Sequence, residues 1–145
     1  EYWVTGEYSY RGEHCASDGL VLIGDAFAFL DPVFSSGVFL ALKSAEMAAD
    51  AADVALRNDG AITANDFEAY GERLCKAIET MRQVVYAFYD ERFSFAELIK
   101  TNMSLRGTLT DCLIGDLMDR DYSELLDAMK DFAKLPEPLP HGRAK

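Results

Sequence analysis

Cationic side chains are scarce in this 145-residue chain: 14 Lys and Arg stand against 25 Asp and Glu, a formal net charge of −11. A nucleic-acid binder needs a basic footprint to neutralise phosphates. DNA, RNA and anionic membrane surfaces are therefore not expected partners. Cysteine is sparse as well. Cys15, Cys75 and Cys112 are odd in number and far apart, with no CxxC pair and no His/Cys cluster. Neither a disulfide framework nor a metal site is expected, and reduced cysteines suit a cytoplasmic protein. The two histidines, His14 and His141, are isolated, which leaves a Ser-His-Asp or Cys-His arrangement without support. Long apolar runs are missing too. The longest is broken by Asp25 and Asp31, so no segment is expected to span a membrane. No basic region followed by an apolar one leads the sequence, so no secretory signal is expected. Internal repeats and low-complexity blocks are absent.

What is present is apolar. Half of the residues are hydrophobic, which predicts a packed core rather than disorder. Residues 8–13 alternate like a short exposed strand. After the turn signal Asp18-Gly19, the run Leu20-Val21-Leu22-Ile23 reads as a strand buried on both faces, as in a parallel sheet. Gly24 ends it. From about Gly37 to Arg57 the pattern is helical, and Ala41, Ala45, Ala48, Ala49, Ala52 and Ala55 run along it and let that helix approach a sheet closely. Asn58-Asp59-Gly60 reads as its end.

Thr63 with Asp66 resembles a capping box, opening a long helix. Phe67, Tyr70, Leu74, Ile78, Met81, Val85 and Phe88 recur every three or four residues and predict one core stripe. Breaks are expected near Ser94 and Gly107. Thr108 with Asp111, and Asp121 with Glu124, predict two further helix starts, the second presenting Leu125, Met129 and Phe132. The segment from Leu135 to Lys145 holds Pro136, Pro138 and Pro140 and reads as extended or loose.

This layout is mainly α with one or two short strands. A parallel strand needs neighbours, and few strands are on offer. A fragment is therefore expected, divided into residues 1–60, a helical unit over 61–135 and a Pro-rich tail over 136–145.

The chemistry concentrates in Leu20 to Glu46. A strand delivers Asp25 at its carboxyl end, where ligands sit in open α/β sheets. A loop containing Pro32 crosses to a helix that starts near Ser36. A helix N-terminus presents unpaired N–H groups and a positive dipole end. Asp25 can accept hydrogen bonds from a sugar-like hydroxyl. Gly37 removes a side chain where backbone would meet a flat ligand. Asp31 reads as the cap of the turn before Pro32, and Ser35 and Ser36 as helix caps. Phe93 and Phe95 are candidates to line a substrate channel.

Gly24-Asp25-Ala26, followed by Pro32 and a Gly-opened helix, resembles the second FAD fingerprint of the glutathione-reductase-type flavoproteins. Within that superfamily, Phe29-Leu30-Asp31-Pro32-Val33-Phe34-Ser35-Ser36-Gly37-Val38 resembles the flavin-dependent halogenases. Aromatic hydroxylases of the superfamily usually show GDAAH and a G-x-G-x-N helix start. Here Phe27 stands at the His position, Ser35 replaces the first Gly and the Asn is missing. The close resemblance covers roughly residues 8–44.

The resemblance implies the C-terminal part of an α/β FAD/NAD(P)-binding fold followed by a helical C-terminal domain. It implies that Asp25 binds the ribitol chain of FAD, with Gly24 and Ala26 shaping the cofactor-binding turn. Pro32 lies against the isoalloxazine ring, the N–H groups near Gly37 and Val38 face its pyrimidine edge, and the backbone at Ser36 and Gly37 holds halide. It further implies an aromatic or pyrrole substrate, reduced flavin from a flavin reductase, O2 and a halide ion. The fingerprint for the ADP half of FAD, the W-x-W-x-I-P segment and the family's catalytic lysine have no counterpart here, and Lys43 does not match that lysine. This chain alone is expected to be inactive. The alternatives are an FAD-dependent monooxygenase, a geranylgeranyl-reductase-like oxidoreductase or a non-catalytic helical fragment. Exposed sheet edge and exposed Ala-rich helix surface favour a homo-oligomer or pairing with the missing half.

Overall fold

A computed structural model describes residues 9–57 and 61–145. The helix-ending signal at residues 58–60, and position 8 of the predicted first strand, lie outside the described residues. Helix makes up 57% of the structure, beside two small antiparallel sheets. In the first sheet β1 (Tyr10–Arg11) pairs with β4 (Ala28–Phe29). In the second, β2 (Ala16–Ser17) pairs with β3 (Leu20–Val21). Four short strands thus replace the expected one or two.

The run from Leu20 to Ile23 is not a parallel strand buried on both faces. The turn at Asp18-Gly19, with Gly19 at φ +72, folds the chain straight back, so the nearest partner for β3 is β2 and the pairing is antiparallel. One face stays open: Leu20 is 54% exposed. The inner side is fixed instead by the Tyr70 hydroxyl, which donates to the Leu22 carbonyl at 2.5 Å.

Five helices follow, α1 (Gly37–Arg57), α2 (Glu68–Tyr89), α3 (Phe95–Thr101), α4 (Leu105–Leu113) and α5 (Ser123–Lys130). The first begins where the pattern predicts and is described as far as Arg57. Its close approach is made to a 3-10 turn, Gly24–Ala26, rather than to a sheet. A later 3-10 turn, Ala64–Phe67, leads into α2, and there the capping box forms. Asp66 Oδ2 accepts from the Thr63 N–H at 2.8 Å and from its hydroxyl at 2.9 Å. These bonds hold the Asp66 carboxyl below the ordinary carboxylate range.

The long helix α2 is the axis of the core. Tyr70, Leu74, Ile78, Met81 and Val85 are buried along one stripe, as a 3.6-residue period requires. They join Leu40 and Met47 from α1, Leu98, Leu105 and Leu109 from α3 and α4, and Leu125 and Met129 from α5. Phe88 departs from the stripe, being 45% exposed, and in the last turn of α2 its ring meets Phe34.

Ser94 caps α3, its Oγ accepting from the Glu97 N–H at 3.4 Å. The break expected at Gly107 falls earlier, between Thr101 and Leu105, and Gly107, Thr108 and Asp111 all lie inside α4. Gly107 has open space beside it, and a glycine on a solvated helix face costs only about 1 kcal/mol. Asp111 pairs with Arg120 instead of capping. The signal at Asp121 holds, since its carboxylate accepts from the Ser123 N–H and hydroxyl at 3.0 and 3.1 Å at the start of α5. The Pro-rich segment is extended but not loose, because side chains and strand backbone hold it at several points.

Candidate functional site

The stretch from Gly24 to Val38 folds as a 3-10 turn, strand β4, a second 3-10 turn (Pro32–Phe34) and the start of α1. Gly24 makes the first turn possible. Its φ is +51, and a Cβ there would lie 3.0 Å from the Ala41 Cβ of α1. Its N–H donates to the Ser44 hydroxyl at 2.9 Å, and that hydroxyl donates to the Ala41 carbonyl at 2.9 Å. One buried serine in an Ala-rich helix thereby ties the turn to the helix. Sequence reasoning missed Ser44, although a lone hydroxyl among alanines two turns into that helix was the available signal.

Gly24, Asp25 and Gly37 line one cleft between the turn and α1, floored by Leu40, Leu74 and Ile78. Its interior holds about 20 Å³, room for roughly one water. An isoalloxazine ring does not fit inside it. The open ground lies outside: Asp25, Ala26, Pro32, Gly37 and Val38 are all exposed. Among the described residues the Asp25 carboxylate makes no hydrogen bond, whereas its backbone carbonyl accepts from the Tyr10 hydroxyl. Gly37 has nothing within 4 Å where a side chain would stand. The first N–H groups of α1 have no carbonyl four residues back. Ser36 is buried, and its carbonyl accepts from the Leu40 N–H at 3.0 Å. An ion at this helix start therefore meets backbone amides before it meets the Ser36 hydroxyl.

The crossover is anchored at its far end. Asp31 Oδ1 accepts from the Val33 N–H at 3.1 Å, which makes it the cap of the second 3-10 turn. Its Oδ2 accepts from the Tyr89 hydroxyl at 2.9 Å, and its own N–H donates to Ser9 Oγ at 3.1 Å. Phe34 sets its ring edge-on to Phe88 at 5.6 Å and to Phe95 at 6.2 Å, while Phe93 meets Phe95 at 4.8 Å. The end of α2 and the start of α3 thus brace the loop through aromatic contacts. Ser35 ends the turn in the left-handed region, at φ 54, where the hydroxylase pattern carries a glycine.

Larger depressions of 530 and 500 Å³ lie elsewhere, around Arg92, Lys130 and Lys134 and along Leu135 to Pro138. Neither includes a residue expected in the site. Among the described residues no His, Cys, Asp and Glu group could hold a metal ion. No helix among them is long and apolar enough to cross a membrane.

No protein-family model matches the chain. Among curated proteins, a 1H-pyrrole-2-carbonyl-(peptidyl-carrier protein) chlorinase of Pseudomonas fluorescens is 30% identical over 134 residues, 92% of this chain. Most of this chain is homologous to the flavin-dependent halogenases. A 1H-pyrrole-2-carbonyl-(peptidyl-carrier protein) brominase of Pseudoalteromonas luteoviolacea is 47% identical over 64 residues, and a tryptophan 2-halogenase of Chondromyces crocatus is 51% identical over 43. The chain spans 29% of the chlorinase, 15% of the brominase and 8% of the tryptophan halogenase. The halogenase likeness was expected from residues 8–44 alone; the chlorinase match carries it through nearly the whole chain.

Proposed function

We propose that this chain forms one wall of the flavin and halide site of an FAD-dependent halogenase acting on an electron-rich aromatic or pyrrole ring. The observation that carries the reading is the convergence of an exposed carboxylate, Asp25, and the open start of α1 at Gly37 on one cleft, in a chain matched over 92% of its length by a pyrrole-carbonyl chlorinase. The reading draws its other surfaces from sequence that this chain, at 29% of that relative, does not contain.

The residues present fit a flavin. Asp25 has a carboxylate open to ribitol hydroxyls. Pro32 offers a rigid apolar face, and Gly37 leaves space for a flat ring to approach the backbone. The N–H groups of Gly37 and Val38 point out of a helix N-terminus, where the dipole favours an electron-rich edge or a halide ion. When bound, reduced flavin with O2 supplies the oxidising power, and the protein supplies position and electrostatics. Asp25 fixes the polyol chain, the Gly24 turn holds Asp25 in register with α1, and the Ser36-Gly37 backbone sets down the halide. In this reading reduced flavin arrives from a separate reductase, and the protein is cytoplasmic, in keeping with three free cysteines.

Replacing Asp25 by Ala in the complete protein tests this. Loss of one or two charge-assisted hydrogen bonds is expected to weaken FAD binding by roughly 10- to 100-fold, read by calorimetry. Product analysis with chloride or bromide then decides the reaction. Consumption of reduced flavin and O2 with a native substrate, and no halogen in the product, would refute the halogenase assignment.

A further inference from the structure

Residues 136–145 are held by two buried arginines. Arg11, whose side chain is 3% exposed, donates through Nη2 to the carbonyls of Leu139 at 2.9 Å and His141 at 2.7 Å. Arg82 donates through Nη2 to the Glu137 carbonyl at 2.5 Å. Glu79 lies between them, 3.6 Å from Arg11 and 2.6 Å from Arg82. The accepting carbonyls alternate along the chain, each one residue after a proline. Proline fixes the backbone near the extended region and removes an N–H that would compete. The segment is thereby kept straight enough to meet both guanidinium groups.

Beyond His141 the main chain takes over. The Gly142 N–H donates to Glu13 at 2.9 Å, the Cys15 N–H to Arg143 at 3.1 Å and the Lys145 N–H to Ala16 at 3.1 Å. Residues 142–145 thus run parallel to residues 13–16, and Cys75 Sγ donates to the Gly142 carbonyl at 3.2 Å. Just before residues 13–16 in the chain lies β1, which the segment holds through the Arg11 side chain and which itself braces the site loop. Arg11 opposes Ala28 in the β1–β4 pair, the Gly12 N–H donates to Phe27 at 2.7 Å, and Tyr10 donates to the Asp25 carbonyl while stacking on Phe29.

We infer that residues 136–145 are a positioning strap for the Asp25 loop, acting through Arg11. The flavin consequence rests on the halogenase reading, but the mechanical one does not. A buried guanidinium needs acceptors, and the carbonyls of Leu139 and His141 are two of them. Without them Arg11 turns to water, β1 loses its backing, and the bonds from Tyr10 and Gly12 to the loop loosen.

Amide hydrogen exchange tests the strap in a chain lacking residues 136–145 and in the full chain carrying Gly142→Ala. A Cβ on Gly142 would lie 2.8 Å from Arg11 Nε, so this second variant disturbs the strap with the segment still present. Exchange at Gly12 and over residues 25–29 is expected to rise by about ten-fold or more, with α4 and α5 unchanged. Unchanged exchange at Gly12 in either variant, with helical circular dichroism retained, would overturn the strap. In the complete protein, Arg11→Met is expected to weaken FAD binding by about ten-fold and to shift the flavin absorbance, and Arg11→Lys to recover little of either, since an ammonium cannot reproduce the guanidinium fork that reaches Leu139, His141 and Glu79. Faster exchange with FAD binding untouched would leave the strap standing and remove the flavin reading of the loop. Weaker FAD binding in Asp25→Ala, with no exchange response in the strap variants, would do the reverse.

Discussion

Gly24 sits at φ +51 with α1 pressed against it, while Gly19 sits at φ +72 with nothing within 4 Å of where a Cβ would stand. The pair separates two costs that usually come together. Alanine at either position is forced into the left-handed region, which costs about 1–2 kcal/mol, offset by about 0.4–1 kcal/mol from the stiffer unfolded chain. Gly19→Ala should therefore destabilise by about 0.5–1 kcal/mol. Gly24→Ala carries the same strain plus a methyl 3.0 Å from the Ala41 Cβ and 3.4 Å from its Cα. A crowded contact of that kind adds about 1–3 kcal/mol, for a total of about 1.5–4 kcal/mol. Urea unfolding reads the difference. With a slope of about 1–3 kcal/mol per molar, Gly24→Ala should lower the midpoint by about 1 M more than Gly19→Ala. Gly24→Ala combined with Ala41→Gly removes the crowding and adds about 1 kcal/mol of helix cost, so the two changes together should destabilise less than the sum of each alone. Equal midpoints for Gly19→Ala and Gly24→Ala would refute the close approach of α1 to the site turn.

Two further outcomes follow from the core. Met81 is fully buried and Phe88 is 45% exposed, so Met81→Ala should cost about 2–5 kcal/mol and Phe88→Ala less than half as much, by the same urea assay. Burial pushes the Cys112 thiol up to about 12, and burial with Cys75 nearby pushes Cys15 up to about 11, both from 9.0. A raised value in the fold means that the folded protein keeps its protons longer than the unfolded chain. Stability should be complete below pH 9 and fall at roughly 1.4 kcal/mol per pH unit per thiol between pH 9 and about 11. Cys15→Ala with Cys112→Ala should flatten that decline, whatever its effect at neutral pH.

The helices were legible because their signals are local. The Ser36-Gly37 start and the alanine spacing placed α1, and the Thr63–Asp66 pair with the apolar period placed α2. Near Gly107 the same reasoning failed, because a glycine on a solvated face disturbs nothing while the polar stretch before Leu105 does. The strand failed for another reason. An apolar run predicts burial on both faces only if something covers both, and the turn at Gly19 hands β3 a single partner. Asp25 and Gly37 do line one cleft, although the parallel strand from which their convergence was reasoned does not form. Ser44 and Tyr10 were not legible, since a mid-helix serine and a strand tyrosine carry no local mark of the backbone atoms they reach. For the proline-rich segment the extended reading holds and the loose one does not, a choice the sequence left open because the anchors, Arg11 and Arg82, are remote in sequence.

That remoteness has a consequence for the order of assembly. Arg11 meets Leu139 and His141 across 128 and 130 positions, so these contacts close a ring through most of the described residues. Contacts of such sequence separation form slowly and late, after local helices have collapsed on one another. The Asp25 loop therefore reaches its final register only in the closing stage of folding, and among the first bonds to part under mild denaturant should be those joining residues 13–16 to 142–145.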